Sequence, residues 1–172
     1  VPIVSGAVLF DLAIGDPFTR PDKNMGYQAC LNARDNQNLR GCVGAGTGAT
    51  VGKILGMHRA MKSGIGSFAL QKENLKIGAI VAVNCLGNVI DPLTAQNLAG
   101  PLDQSAQFIL DTEEIMINTY PDQQDPFSGN TTIGAVLTNA KLDKAQAEKL
   151  ASMSQNGYAR TMRPAHSMVD GD

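Results

Sequence analysis

The chain has 172 residues, of which 43% are hydrophobic and 17% are charged, with 18 glycines and no tryptophan. This length and balance are typical of one globular domain with a sizeable core, and they exclude a disordered chain. The formal net charge of −2 gives no electrostatic reason for binding nucleic acid or an anionic membrane, so we predict neither as a partner.

The cysteines indicate the cellular setting. Cys30, Cys42 and Cys85 are widely separated and form no C-x-x-C pair, so the sequence predicts neither a disulfide framework nor a zinc site. This usage is typical of the reducing cytoplasm. The sequence has no apolar run of about 18 residues and no signal-peptide pattern at its start. It begins without methionine and ends in a turn-like sequence, and we therefore expect it to be a piece of a longer protein.

The first part of the chain predicts a strand, a helix and a glycine-rich stretch. Residues 1–12 form an apolar run, which favours a buried strand followed by a loop. Residues 24–36 carry apolar side chains at nearly helical spacing, which predicts a short amphipathic helix. Small residues then alternate through residues 41–53, and this pattern is typical of strands whose backbones approach a neighbour closely.

The glycine-rich stretch 41–53 also has chemical interpretations. It contains G-x-G-x-x-A from Gly44 to Ala49, but no clear strand precedes it and no acidic residue follows about twenty positions later, so it fails as a dinucleotide fingerprint. It also lacks the first glycine and the final Ser or Thr of a phosphate loop. A third interpretation is a glycine-lined pocket floor with Lys53 directed into it.

Two further strands are predicted at residues 64–70 and 76–90. The second is almost continuously apolar up to Asn84, as expected for a strand covered on both faces. Asn84 is therefore a polar amide at the end of a buried run. Two interpretations stay open, namely a turn-forming residue ahead of Gly87 or an amide directed at a developing oxyanion. Residues 92–127 are polar and irregular, with one short helix predicted near residues 105–118.

The most informative stretch is 128–140, where a polar loop leads into an apolar run that predicts a strand. The boundary falls at Asn130-Thr131. If the bond before Thr131 is cut, this residue carries both a hydroxyl nucleophile and an α-amino group that can accept its proton. The hydroxyl could make the cut itself by attacking the Asn130 carbonyl. The alternative is an ordinary junction between loop and strand, since threonine suits strands.

The last segment predicts a helix and a pair of carboxylates. Asp143 has the features of an N-cap, with Gln146 as its partner in a capping box, and Asn156-Gly157 is a stop signal. We therefore predict a helix that packs on a sheet. Asp170 and Asp172 flank a glycine, and they are either turn residues or an acid pair that serves the nucleophile.

Five stretches of the chain, in matching order, resemble the DmpA-type aminopeptidase/esterase family, in particular its branch of nylon-oligomer hydrolases. They are Val1-Pro2-Ile3-Val4, Gly44-Ala45-Gly46-Thr47-Gly48-Ala49-Thr50-Val51-Gly52-Lys53, Val83-Asn84, Asn130-Thr131-Thr132-Ile133-Gly134 and Asp170-Gly171-Asp172. The resemblance implies an α/β fold, an αββα sandwich of the N-terminal-nucleophile type, built as one domain that cuts itself before a Ser or Thr. Here the cut would leave residues 1–130 and 131–172, and the processed heterodimers would form a homo-oligomer, a tetramer or larger.

The resemblance also implies roles for individual residues. Thr131 would be the nucleophile, Asn84 an oxyanion donor and Lys53 a neighbour of the nucleophile. Asp170 and Asp172 would orient and tune the nucleophile.

Substrate contacts are implied in the same way. Gly46, Gly48 and Phe10 would lie against the substrate. The nylon-hydrolase branch has a tyrosine at the position of Phe10, so one hydrogen bond to the nucleophile or to the substrate would be lost here.

Such a catalyst needs neither a metal nor an organic cofactor, because the nucleophile, base and donors all come from the protein. We therefore predict an amide hydrolase that acts on small peptides, amino-acid amides or linear amide oligomers. The alternative is a non-catalytic binding module, in which the stretch 41–53 holds a small anionic ligand and Thr131 is only structural. His58 and His166 each lack a histidine partner at helical spacing, and we predict no metal site at either.

Overall fold

The computed structural model describes residues 4–33, 40–119 and 129–171 and shows a mixed α/β protein with antiparallel sheets. Within these ranges the helices are α1 (Lys23–Asn32), α2 (Thr112–Thr119) and α3 (Lys144–Thr161). The strands are β1 (Thr50–Val51), β2 (Met61–Lys62), β3 (Ile65–Lys72), β4 (Leu75–Ala82), β5 (Asn88–Ile90), β6 (Asn97–Ala99), β7 (Ile133–Thr138) and β8 (Met162–Arg163). Short 3₁₀ turns cover Gly44–Gly46, Lys53–Leu55 and Met57–Arg59.

The strands form three sheets in the described part of the chain. β1 pairs with β2, β4 lies between β3 and β7, and β5 lies between β6 and β8. In the register of the second sheet, Ala82 at the end of β4 lies opposite Ile133 at the start of β7. The chain that leaves β4 and the chain that enters β7 therefore lie side by side, and this brings Asn84 close to Thr131.

The strand predictions in the middle of the chain are confirmed in part. β3 and β4 form a hairpin joined by Glu73-Asn74, and β7 begins just after the predicted boundary. The prediction that the second strand is covered on both faces is wrong for the described residues, because Ile77 is 39% exposed and Ile80 is 38% exposed. Within β4, full burial is reached only at Ala82, where the strand runs toward Asn84.

The buried strand predicted at residues 1–12 is wrong for its described part. Residues 4–12 contain no strand, and Val4 and Val8 are each 86% exposed. Apolar content alone does not make a strand, since the backbone also needs a pairing edge, and no described strand pairs with this run. Its contribution to the site is the Phe10 carbonyl, which accepts a hydrogen bond from Asn84 Nδ2 at 3.0 Å.

The start of the longest helix is predicted correctly and its end is not. Asp143 and Gln146 form the predicted capping box, with hydrogen bonds of 2.8 and 2.9 Å. The predicted stop at Asn156-Gly157 is wrong, because glycine inside a helix costs only about 1 kcal/mol relative to alanine and α3 continues to Thr161. The extra turn places Tyr158 against the buried core.

The shorter helices are shifted from their predicted positions. The helix predicted at residues 24–36 is α1, which ends at Asn32, and the end of its predicted range lies outside the described residues. The helix predicted at residues 105–118 is α2, which starts later than predicted. Upstream of it, the Asp103 carboxylate accepts a hydrogen bond from the Ser105 hydroxyl, which holds the segment in a turn. The same hydrogen bond keeps the pKa of Asp103 well below its usual range.

The glycine-rich stretch is a series of tight turns with one short strand, rather than the predicted strands. The predicted reason for its glycines, close backbone approach, is confirmed at two positions. A methyl group at Gly46 would lie 2.5 Å from the Gly41 carbonyl oxygen. At Gly52, where φ is +71°, it would overlap the backbone of Gly100.

Gly52→Ala should lower the free energy of unfolding by more than about 1 kcal/mol, because a left-handed L residue alone costs that much and the added methyl meets the Gly100 backbone. The matched control is Gly157→Ala inside α3, where nothing lies within 4 Å of the added methyl. Alanine is the better helix former, so this variant should gain up to about 1 kcal/mol. Urea unfolding measures whether the free energy of unfolding falls in the first variant and rises in the second. A Gly52→Ala protein as stable as the parent would contradict the constraint at this turn.

Candidate active site

Five buried polar residues surround the junction between β4 and β7. Their side chains are at most 8% exposed, and they are Thr50, Lys53, Asn84, Asn130 and Thr132. Buried polar groups are tolerated only when they are hydrogen-bonded, so their partners show how this region is held together.

The Asn84 side chain joins three distant segments of the chain. Its Nδ2 donates to the Phe10 carbonyl at 3.0 Å and to the Gly129 carbonyl at 2.9 Å. Its Oδ1 accepts from the backbone amide of Thr50 at 3.0 Å. These partners are 34 to 74 residues away in sequence, so the contacts of this side chain do not belong to a local turn.

The Lys53 side chain contacts the same carbonyl of Gly129 as the Asn84 amide. It follows Gly52, whose left-handed backbone turns the chain, and its N–H donates to the Leu86 carbonyl at 2.9 Å. Its Nζ donates to the Asn84 carbonyl at 2.7 Å and to the Gly129 carbonyl at 2.5 Å. A buried ammonium group is costly to desolvate, and these two oxygens offset part of that cost. Lys53 and Asn84 thus donate to one shared oxygen, that of Gly129.

The predicted cleavage site lies directly beside these groups. The Thr131 amide donates to the Asn84 carbonyl at 3.1 Å, and the same oxygen accepts from Lys53. Thr131 Oγ1 donates to the carbonyl of Asn130, the residue just before it. The hydroxyl is therefore placed at the carbonyl group that it would attack. The nitrogen that cleavage would convert to a free amine lies near the lysine cation.

The last described residues also contact this bond or its neighbours. Asp170 Oδ2 accepts from the Leu86 amide at 2.6 Å. The Gly171 N–H donates to the Asn130 carbonyl at 3.1 Å. A Cβ at residue 171 would lie 2.7 Å from Thr131 Oγ1, so this close approach requires glycine. The carbonyl of the predicted scissile bond thus accepts from a backbone amide as well as from the hydroxyl.

Four of the predicted catalytic and cleavage residues are linked by direct contacts around Gly129, and they are Lys53, Asn84, Asn130 and Thr131. Asp170 joins them through the Leu86 amide, two residues after Asn84. Asp172 lies outside the described residues.

The three residues predicted to bind substrate differ in their surroundings. Phe10 is 48% exposed, and its ring lies 3.4 Å from the place of a Cβ on Gly129. Gly46 is covered by neighbouring backbone, and Gly48 is covered by the Asp11 carboxylate. The alternative, a ligand-binding module, uses the whole stretch 41–53, and a Cβ at Gly41 or Gly44 would have nothing within 4 Å of it. That alternative stays a prediction. Contact of substrate with Gly46 and Gly48 stays a prediction.

Sequence reasoning missed two backbone groups, the Gly129 carbonyl and the Gly171 amide. Backbone groups have no sequence signature of their own. Gly129 has a φ of +97°, and Gly171 leaves room for the Thr131 hydroxyl. A glycine just before a candidate cleavage site is a usable signal of a backbone that approaches the reacting atoms closely, but Gly171 is far away in sequence and only the fold brings it there.

The described residues show neither a metal-binding cluster nor a membrane-spanning helix. No group of three or more His, Cys, Asp or Glu side chains there is arranged to hold a metal ion. Likewise, none of the described helices combines the length and apolar character needed to cross a membrane.

The chain is similar to proteins named as aminopeptidases and as an oligomer hydrolase. It is 38% identical over 182 residues to an uncharacterized aminopeptidase of Mycobacterium leprae, covering 100% of this chain and 48% of that protein. It is 36% identical over 179 residues to an uncharacterized aminopeptidase of Mycobacterium tuberculosis, covering 100% of this chain and 49% of that protein. It is 27% identical over 173 residues to the 6-aminohexanoate-oligomer endohydrolase of Paenarthrobacter ureafaciens, covering 99% of this chain and 48% of that protein.

The chain thus spans about half the length of these curated relatives. The model of Peptidase family S58 matches residues 1–172. The chain therefore belongs to Peptidase family S58, the DmpA family that its five stretches resemble.

Proposed function

We propose that the protein is an amide hydrolase that cuts its own chain between Asn130 and Thr131 and then uses Thr131 as its nucleophile. The observation that carries this proposal is the hydrogen bond from Thr131 Oγ1 to the Asn130 carbonyl. Membership of a peptidase family supports activity on amide bonds. The names of its relatives support a peptide or a linear amide oligomer as the substrate.

Self-cleavage would proceed through an ester. Thr131 Oγ1 attacks the carbonyl carbon of Asn130, and the Gly171 N–H stabilises the negative charge that develops on the carbonyl oxygen. The C–N bond then breaks, and the nitrogen takes up the hydroxyl proton to become the α-amine of Thr131. Water adds to the ester carbon, which releases the Asn130 carboxylate and returns a proton to Oγ1.

Hydrolysis of a substrate would repeat this chemistry with the free amine as the base. The Thr131 amine accepts the hydroxyl proton as Oγ1 attacks the substrate carbonyl, and it passes that proton to the departing amine. Water then releases the substrate acid from the ester. In the uncut chain the Asn84 amide lies one residue upstream, on the Gly129 carbonyl. Its role as an oxyanion donor stays a prediction that requires it to leave that oxygen.

The resemblance adds proposals about the whole protein. These are an αββα sandwich, division into residues 1–130 and 131–172, and a homo-oligomer of at least four processed units. Asp170 and Asp172 are proposed to orient the Thr131 amine and hydroxyl, and the Leu86 amide supports this by holding Asp170 in place.

Thr131→Ala should abolish both self-cleavage and hydrolysis, because it removes the hydroxyl that forms the ester, while the protein stays folded. Thr131→Ser keeps a hydroxyl and should retain both activities at a lower rate. Intact mass spectrometry distinguishes the uncut chain from fragments that end at Asn130 and begin at residue 131. Cleavage of the alanine variant at this bond would show that the nucleophile is a different residue.

The neighbouring hydroxyl provides the control for this experiment. Thr132 is 4% exposed, and its Oγ1 accepts from the backbone N–H of Asn84 at 3.3 Å, so Thr132→Ala should lose stability. Whatever cleavage remains in that variant should still fall between Asn130 and residue 131.

Asn84→Ala should lower hydrolysis by on the order of 10²-fold, the usual effect of removing one positioned donor in an active site. A matched control is Asn88→Ala, since Asn88 is equally buried and its amide also bridges two backbone groups, those of Leu110 at 2.7 Å and Thr112 at 2.8 Å. Both variants should lose about 2 kcal/mol or more of stability. Rates are compared at a temperature where both are folded, and an equal loss in Asn88→Ala would assign the effect to stability. A loss confined to kcat supports the oxyanion role.

Lys53→Met should move the acid limb of the rate profile to higher pH. Lys53 Nζ and Thr131 N share the Asn84 oxygen, so they lie within about 6 Å, a range over which a cation lowers the pKa of a neighbouring amine. Removing the cation raises the pKa of the Thr131 amine, so the neutral base appears only at higher pH. The Asp170 carboxylate would raise the pKa of the amine, so Asp170→Asn should shift the acid limb to lower pH. The pH dependence of kcat/KM measures both, and unchanged limbs would contradict the electrostatic roles.

A further inference from the structure

The residue before the predicted cut is hydrogen-bonded twice to one distant segment. Asn130 Nδ2 donates to the Val169 carbonyl at 3.0 Å, and the Asn130 carbonyl accepts from the Gly171 N–H at 3.1 Å. Residues 130 and 169 are 39 positions apart, so the side-chain bond does not belong to a local turn. The carbonyl that is held in this way is the one that Thr131 Oγ1 contacts.

The segment 169–171 is itself tied to the rest of the site. Asp170 Oδ2 accepts from the Leu86 N–H at 2.6 Å, and Leu86 is 2% exposed. On the other side of the predicted cut, the Thr131 N–H donates to the Asn84 carbonyl at 3.1 Å. The loop that follows β4 therefore holds both sides of the bond, the nitrogen directly and the carbonyl through residues 169–171.

Two hydrogen bonds to one residue restrict its carbonyl more than one would. The Gly171 N–H limits the position of the Asn130 oxygen but allows the carbonyl group to turn about that contact. The side-chain bond to Val169 restricts this rotation, because it holds a second point of the same residue. Attack by Thr131 Oγ1 takes place at the carbon, and its rate depends steeply on how well the two reacting groups are aligned.

Resting on the function proposed above, we propose that the Asn130 side chain is a positioning residue for self-cleavage, which uses the Val169 carbonyl to hold its own carbonyl in place for attack. In the step that it assists, Thr131 Oγ1 bonds to the Asn130 carbon, the C–N bond breaks, and the hydroxyl proton passes to the nitrogen. The bond to Val169 acts before the ester forms and has no part in the later attack of water on that ester.

This role requires an N–H group at the end of a short side chain. Aspartate has the shape of asparagine, but its carboxylate only accepts hydrogen bonds and would face the Val169 oxygen. Alanine removes the donor without adding a charge. Asn130 is 7% exposed, so water has little room to replace the lost donor in either variant.

The test follows self-cleavage of the full chain, synthesised in a cell-free system, by intact mass spectrometry. Asn130→Asp and Asn130→Ala should each slow cleavage by on the order of 10- to 10²-fold, because a small misplacement of reacting groups has effects of this size. All rates refer to folded protein, which circular dichroism checks at the assay temperature.

Two asparagines outside the site supply matched controls. Asn88 is 1% exposed and its Nδ2 donates to the Leu110 carbonyl at 2.7 Å, so Asn88→Asp removes the same kind of buried bond. Asn139 is exposed and its Nδ2 donates to the Asn74 carbonyl at 2.6 Å, so Asn139→Asp makes the same change at the surface. Both control variants should cut themselves at a rate close to that of the parent.

Hydroxylamine supplies the second readout, because it cleaves the Thr131 ester in place of water. It should leave the cleavage of both Asn130 variants slow, since the missing bond acts before the ester forms. Cleavage of either Asn130 variant at the parent rate, an equal loss in Asn88→Asp or Asn139→Asp, or recovery with hydroxylamine would overturn the positioning role. A parent chain that stays uncut, or a Thr131→Ala chain that is cut at this bond, would instead overturn the proposed function.

Discussion

The site depends on the burial of Asn84. A buried amide must find partners for both its donor and its acceptor, and Asn84 finds them in three segments that are far apart in sequence. Its backbone carbonyl adds two more partners, Lys53 Nζ and the Thr131 amide. The positions of Gly129, Thr131 and Lys53 are therefore not independent. Each is fixed by the same residue, and β4 places that residue where β7 begins.

Part of this arrangement could be predicted from the sequence. Thr131 stands at a boundary between polar and apolar residues, and Asn84 ends an apolar run, so both are visible as exceptions to a local pattern. Their adjacency is not visible, because it follows from the antiparallel register of two strands separated by residues 83–132. The sequence offers Lys53 only in one of several interpretations of the glycine-rich stretch, and its place beside the nucleophile comes from the family resemblance, since nothing in that stretch indicates which distant oxygen its side chain reaches.

The errors share a physical origin. The run at residues 4–12 is apolar but has no pairing edge in the described chain, and strands are made by partners rather than by composition. Gly157 is a helix breaker by propensity, yet α3 passes through it because packing of Tyr158 outweighs a cost of about 1 kcal/mol. Local preference is a weak constraint, and tertiary contacts override it at each of these points.

The donors of the site are in place before any bond is cut. Lys53 and Asn84 are held by contacts with the chain itself, and the oxygen that they share belongs to the segment just upstream of the predicted cut. Burying a lysine there costs stability, and the carbonyl oxygens of Asn84 and Gly129 lower that cost. Cleavage between Asn130 and Thr131 would let Gly129 move away. The hydrogen bond from the Thr50 N–H to Asn84 Oδ1 would still hold Asn84 in place. The proposed oxyanion role requires this release, because Asn84 Nδ2 must leave the Gly129 oxygen before it can donate to a substrate.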